Sequence, residues 1–233
     1  MNNTILDRRQ CFDSAFVEVM NDYTARWDTE DQSWTPQDAL QSYKLEWSKH
    51  RKAPVRSPIS ADELRLVCLS KALEPLPVTV NAAYARSFFE QVEQQEDAFV
   101  SLFPGVEETL EALSQNYKLA IISNGHFRRL LGSLHKLKLT EWISPDRLFS
   151  SEKDGPRKPH PLIFETAMKA MNTTANHSVM VGNSWRNDVV GATSCGMDAI
   201  WIHPGNMKKV SERRIGKQKV IIVRSFRQLQ HTF

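Results

Sequence analysis

Cysteine is scarce in this chain: Cys11, Cys68 and Cys195 are the only three in 233 residues. An odd, widely spaced set builds no complete disulfide framework and matches no metal-ligand spacing. It reads as free thiols in a reducing compartment. No sign of charge dominates. Thirty Lys+Arg stand against 27 Asp+Glu, a formal charge of +3, which makes no electrostatic case for a nucleic-acid partner. No apolar run approaches the roughly 18 residues of a membrane span. The start lacks the basic-then-apolar pattern of a signal peptide, and no period of about 20–50 residues repeats. These absences predict a cytoplasmic protein with no membrane and no nucleic acid among its partners. The remainder is 41% hydrophobic and 24% charged, as in an ordinary globular protein able to bury a substantial core.

The pattern changes near Phe103-Pro104-Gly105. Before it, helical spacing prevails. Phe12, Phe16, Val19, Met20 and Tyr23 share one face of a helix over 7–27. Thr35-Pro36 caps and opens a second helix carrying Leu40, Tyr43 and Trp47. Ser60 and Glu63 form a capping box for a third, and a fourth runs from about Thr79 through Tyr84, Phe88, Phe89 and Val92. Trp27, Trp34 and Trp47 are expected to anchor this packing. Four amphipathic helices with short connections predict a bundle of roughly 85 residues. His50, Arg51, Lys52 and Arg56 read as a solvated basic loop within it.

After Pro104, short apolar runs alternate with helical ones. Strands are expected over 118–123, 147–150, 178–181, 199–202 and 220–223, which predicts an α/β fold with a parallel sheet. Lys208 to Lys219 reads as a charged surface connector. In such sheets ligands bind beyond the carboxyl ends of the strands, and three polar stretches fall there. Ser123-Asn124-Gly125 offers a hydroxyl and turn amides to an anionic oxygen. Lys158-Pro159 supplies a cation just ahead of a helix. Gly182-Asn183 through Asp188 places oxygen donors five apart, suited to a hard cation such as Mg²⁺. Each alone is ordinary: a turn, a surface lysine, a helix start.

Together and in this order they resemble the haloacid dehalogenase (HAD) superfamily. Its second motif is an apolar strand ending in Ser or Thr, its third a Lys, and its fourth Gly-Asp with a second Asp soon after. Asn3-Thr4-Ile5-Leu6-Asp7 resembles the residues that follow that family's nucleophile. Phe103 to Val106 resembles its return from a helical cap, and Ile221 to Leu229 its closing strand and helix. The resemblance implies a Rossmann-like α/β core over 1–6 and 98–233, with an inserted helical bundle cap over 7–97. It also implies hydrolysis of a small phosphorylated metabolite or nucleotide through an aspartyl-phosphate. Ser123, Asn124 and Gly125 would hold the phosphoryl group with Lys158. Mg²⁺ would lie at the Asn2 backbone, Asn183 and Asp188.

The sequence departs from that pattern at its front. Aligned on Thr4, the nucleophilic Asp falls one position ahead of Met1, and the central first strand falls outside the 233 residues. Asn2 stands at the acid/base position, and Asn cannot exchange a proton near neutral pH. Asn183 replaces a carboxylate. The expectations are weak Mg²⁺ binding, weak or absent turnover, and a core with unpaired strand edges and a trough. A longer start would restore the strand and the nucleophile, but not Asn2 or Asn183. Two other readings stay open: a non-catalytic or degenerate homologue, and a metal-independent 2-haloacid dehalogenase, which Asn183-Ser184-Trp185 resembles in part.

Overall fold

The computed structural model describes residues 1–25, 34–52, 59–153 and 155–232. Trp27 and Arg56 lie outside the described residues. The chain divides into two compact units, Met1–Arg8 with Ser101–Phe233, and Arg9–Val100. Among the described residues no helix is long and apolar enough to cross a membrane.

The chain enters through the short strand β1 (Leu6–Asp7). The helical unit then contains α1 (Arg8–Thr24), α2 (Pro36–Lys52), α3 (Ala61–Ala72) and α4 (Ala82–Glu96). Phe16, Met20, Leu69, Leu73 and Phe88 are fully buried at its centre. Phe16 meets Phe88 edge-on with ring centroids 5.1 Å apart, and Tyr43 packs on Phe16, Phe89 and Trp47. Offset and edge-on aromatic pairs add to area burial. Trp34 and Trp47 pack on this core as half-buried rings. The helix starts are fixed locally. Ser60 Oγ accepts the Glu63 amide while Glu63 accepts the Ser60 amide. Thr35 and Asp38 exchange similar bonds ahead of Pro36, and Asn81 Oδ1 accepts the Tyr84 amide.

The other unit resumes with β2 (Ser101–Leu102), which pairs antiparallel with β1. There follow α5 (Val106–Ser114), β3 (Ile121–Ser123), α6 (Phe127–Lys136), β4 (Leu148–Ser150), α7 (Pro161–Ala170), β5 (Val179–Gly182), α8 (Gly191–Ser194), β6 (Asp198–Ile202), β7 (Val210–Ile215) and β8 (Gln218–Val223). The fold is α/β. β3 pairs with β4 in parallel, and β5, β6 and β8 form a second parallel set. Helices lie in the connections from β3 to β4 and from β5 to β6, as parallel neighbours require, whereas β7 lies between β6 and β8.

The segment expected as a charged connector is instead a strand. β7 pairs antiparallel with β8 and closes the sheet order β5-β6-β8-β7. Its residues are mostly exposed, so it carries no apolar alternation. A two-residue turn, Gly216-Lys217, with Gly216 at φ +60, drives the pairing. Glycine at the first turn position suits the primed hairpin turns that match strand twist.

Among the described residues no strand joins β3 to β5; they belong to separate sheets. A cavity of about 670 Å³ runs along both. Its lining includes five consecutive residues, Lys118 to Ile122, and four more, Ser178 to Val181.

Candidate active site

β3 ends in the buried Ser123, and the chain turns at once. Ser123 Oγ accepts the Gly125 amide at 3.3 Å, which leaves the hydroxyl proton free to donate. Asn124 faces the neighbouring loop. Its Nδ2 donates to the Lys158 carbonyl at 3.0 Å and its Oδ1 accepts the Lys158 amide at 2.8 Å. One amide side chain thus grips both backbone groups of Lys158.

The Lys158 side chain is 7% exposed. Its Nζ donates to the Ile122 carbonyl at 2.8 Å and to Asp188 Oδ1 at 2.6 Å. An ammonium has three donors, so one remains beside the end of β3. Asp188 is equally buried and its second oxygen, Oδ2, accepts the Ser184 amide at 2.9 Å. A buried pair of this kind holds only when both charges keep hydrogen-bond partners. Asp188 lies in a π-helical turn, Trp185–Val190, whose geometry is often found at functional sites. Gly182 permits the arrangement by close approach: a Cβ there would stand 2.3 Å from the Asp188 carboxyl carbon.

The N-terminal residues join this cluster. Thr4 Oγ1 donates to Asn183 Oδ1 at 3.3 Å. Asn2 Oδ1 is buried without a hydrogen-bond partner. The geometry therefore ties Asn124, Lys158 and Asp188 to the ends of β3 and β5, and ties the Asn183 loop to Thr4.

One neighbour escaped the sequence reading. Trp201 sits opposite Gly182 in the β5–β6 register, and its Nε1 donates to the Asn183 carbonyl at 3.0 Å. Trp185 packs edge-on against it, and His203 stacks on it with centroids 4.3 Å apart. The available signal was its place near the carboxyl end of an expected strand.

The oxygens available to Mg²⁺ suit it poorly. Among the described residues no group of three or more His, Cys, Asp or Glu side chains could hold a metal ion. Asp188 has both oxygens engaged and Lys158 as counter-charge. Asn183 Oδ1 already accepts from Thr4, and the remaining side-chain oxygen, on Asn2, is neutral. Mg²⁺ demands near-ideal octahedral oxygen geometry and is usually held through carboxylates.

The α/β core thus holds a hydroxyl, a buried lysine and a buried carboxylate near its strand ends, where ligands of such folds bind. The chain belongs to the haloacid dehalogenase-like hydrolase family, whose model matches residues 1–202. It is 36% identical over 107 residues to a glyceraldehyde 3-phosphate phosphatase of Methanothermobacter thermautotrophicus, covering 46% of each chain. It is 28% identical over 162 residues to a ribulose-1,5-bisphosphate 5-phosphatase of Halopiger xanaduensis, covering 66% of this chain and 64% of that one. The chain thus spans less than two thirds of either relative. In fold it resembles the HAD-hydrolase YfnB of Bacillus subtilis, solved bound to magnesium. That likeness has a TM-score of 0.64 at 20% identity, over 100% of this chain and 95% of that one.

Proposed function

We propose that the site is that of a phosphomonoester hydrolase for a small phosphorylated metabolite or nucleotide, with weak or absent turnover in the 233 residues. The observation that carries it is the buried Lys158, held by Asn124, Ile122 and Asp188 at the end of the strand that Ser123 closes. A positive charge with a spare donor and an adjacent O–H are complementary to a phosphoryl dianion. In this reading Ser123 donates to one phosphoryl oxygen. The Asn124 and Gly125 amides line the same turn, and Lys158 neutralises charge that builds on the transferring group. The two relatives named above are phosphatases of small phosphorylated sugars, which supports this substrate class.

The weak turnover follows from the groups present. Covalent transfer needs a carboxylate free to attack. The buried carboxylate of the cluster, Asp188, is already bonded to Lys158 and to the Ser184 amide. Asn2 neither attacks nor exchanges a proton. Mg²⁺, when bound, would supply charge compensation at phosphoryl oxygens; the neutral Asn2 and Asn183 predict weak binding at this position. The same poverty of carboxylates favours a second reading, a homologue that binds phosphorylated ligands without turning them over.

The test pairs binding with turnover. Calorimetry with inorganic phosphate should detect binding that Lys158→Ala and Ser123→Ala both abolish. Hydrolysis of p-nitrophenyl phosphate with added Mg²⁺ should stay near background. Robust Mg²⁺-dependent hydrolysis, lost in Lys158→Ala, would overturn the weak-turnover reading. Halide release from a 2-haloacid without metal would replace the phosphatase reading by a dehalogenase one.

A further inference from the structure

We infer that the β7–β8 hairpin is a docking surface for duplex DNA, with the outer edge of β7 seated in the major groove and phosphates held on both sides of it. The first observation is charge. Residues 208–219 hold six Lys+Arg and one Glu, a formal +5, whereas the whole chain carries +3, so the remainder sums to −2. The near-balance of the total hides one strongly basic segment. All six cations, Lys208, Lys209, Arg213, Arg214, Lys217 and Lys219, are exposed. Glu212 pairs with Lys219 at 3.0 Å; among the described residues no carboxylate pairs with the other five. A basic stripe of this kind is the electrostatic footprint of a polyphosphate partner.

The second observation is the frame. β7 pairs with β8 from Val210 to Ile215, and β6 backs β8 on its far side. The entry to β7 is pinned as well: Arg224 Nε donates to the Asn206 carbonyl at 2.7 Å, and Gln228 Nε2 to the Lys209 carbonyl at 3.2 Å. Binding therefore orders side chains on a backbone already set. The third is shape. β7 is the last strand of its sheet among the described residues, so its outer edge is open. Successive strand residues point to opposite faces. Arg213 shares a face with its register partner Val220, and Arg214 shares the other with Lys219. Packed sheets lie about 10 Å apart, so cations on the two faces of one strand stand about that far apart. The major groove of B-DNA is about 12 Å wide, with a phosphate row along either side, and it admits β elements. A lipid surface is flat and engages the cations of one face, leaving those of the other idle. Contacts to phosphates carry no sequence information, so this binding is independent of sequence.

The test uses the 233-residue protein and a fluorescein-labelled duplex of about 20 base pairs with unphosphorylated ends, followed by anisotropy between about 50 and 200 mM NaCl. Five phosphate contacts give a slope of log K against log salt near −4.5, so affinity should fall by roughly 500-fold over that range. Arg213→Gln and Arg214→Gln should each make the slope shallower by about 0.9, because each face holds its own phosphate row. Lys169→Gln removes the same charge from an exposed position on α7 and should leave the slope unchanged. Circular dichroism melts check that each variant is folded. No binding at the lowest salt, or a slope shallower than about −2, would overturn the assignment. So would a change confined to one of the two arginines, the mark of a flat contact. Tighter binding to the single strand of the same sequence, or to phosphatidylserine-containing vesicles, than to the duplex would also overturn it. Inorganic phosphate at matched ionic strength should displace no DNA; displacement would seat the duplex at the Ser123–Lys158 cluster and remove the hairpin from the account.

Discussion

Gly182→Ala is the most incisive perturbation of the site, because it reaches the buried ion pair through a single methyl group. The backbone at Gly182 is not in the left-handed region, so alanine fits it without backbone strain. The obstacle is space. A Cβ would lie 2.3 Å from both Asp188 Cγ and Oδ2, and 2.5 Å from Asp188 Cβ. Asp188 cannot swing away freely, since Oδ1 bonds Lys158 at 2.6 Å and Oδ2 accepts Ser184 at 2.9 Å. Overpacking a tight core costs about 1–3 kcal/mol, and breaking a buried pair outright costs about 3–5 kcal/mol. Partial displacement lies between, at roughly 2–4 kcal/mol, or a Tm lower by roughly 4–16 °C for a chain of this size. Urea denaturation and thermal melts read this directly. Gly132→Ala is the control: a Cβ there meets nothing within 4 Å on the exposed side of α6, so it should stabilise by about 0.5–1 kcal/mol. The decisive arm is the double mutant. In an Asp188→Gly background, which removes the Cβ of residue 188 with its carboxylate, Gly182→Ala should cost less than about 0.5 kcal/mol, because the space is vacant. A Gly182→Ala protein that melts like its parent, or a cost that survives in that background, would refute the steric route.

Other outcomes follow from the helical unit. Phe88 is fully buried among Phe16, Tyr23 and Phe89; Phe88→Ala should cost about 3–5 kcal/mol in chemical denaturation. Asn81→Ala removes the acceptor for the Tyr84 amide at the start of α4 and should cost about 1 kcal/mol, with Asn81→Asp restoring most of it. Burial, with Glu46 adding, pushes the Cys68 thiol up to about 11. A raised thiol keeps its proton until pH approaches that value. At pH 8 a disulfide reagent should therefore leave Cys68 unlabelled in folded protein, modify the half-buried Cys195 first, and reach Cys68 only after denaturant is added.

Much of the fold was legible because local rules and tertiary packing agreed. The α3 capping box at Ser60 and Glu63 is present in the structure as the sequence pattern implies. The apolar runs ending at Ser123 and near Gly182 are strands. β7 was illegible because no burial patterns it; its existence depends on the Gly216 turn and on β8 as partner. The reach of Lys158 to Asp188 was invisible for another reason. Thirty positions separate them, and only the fold brings the loop before α7 against the turn after β5. Asn124 shows the same limit. Its sequence context suggested a place beside the ligand, while its side chain is occupied with the Lys158 backbone. Trp201 was missed because an aromatic in an apolar strand carries no mark of the carbonyl it donates to.

The four-stranded sheet ends at β7, which exposes Glu212, Arg213 and Arg214, and mixed charge along an edge discourages another strand from adding. At 0.15 M salt the screening length is about 8 Å, which weakens that barrier. Raising salt should therefore not keep this protein dispersed at high concentration; it removes the guard that the β7 edge carries.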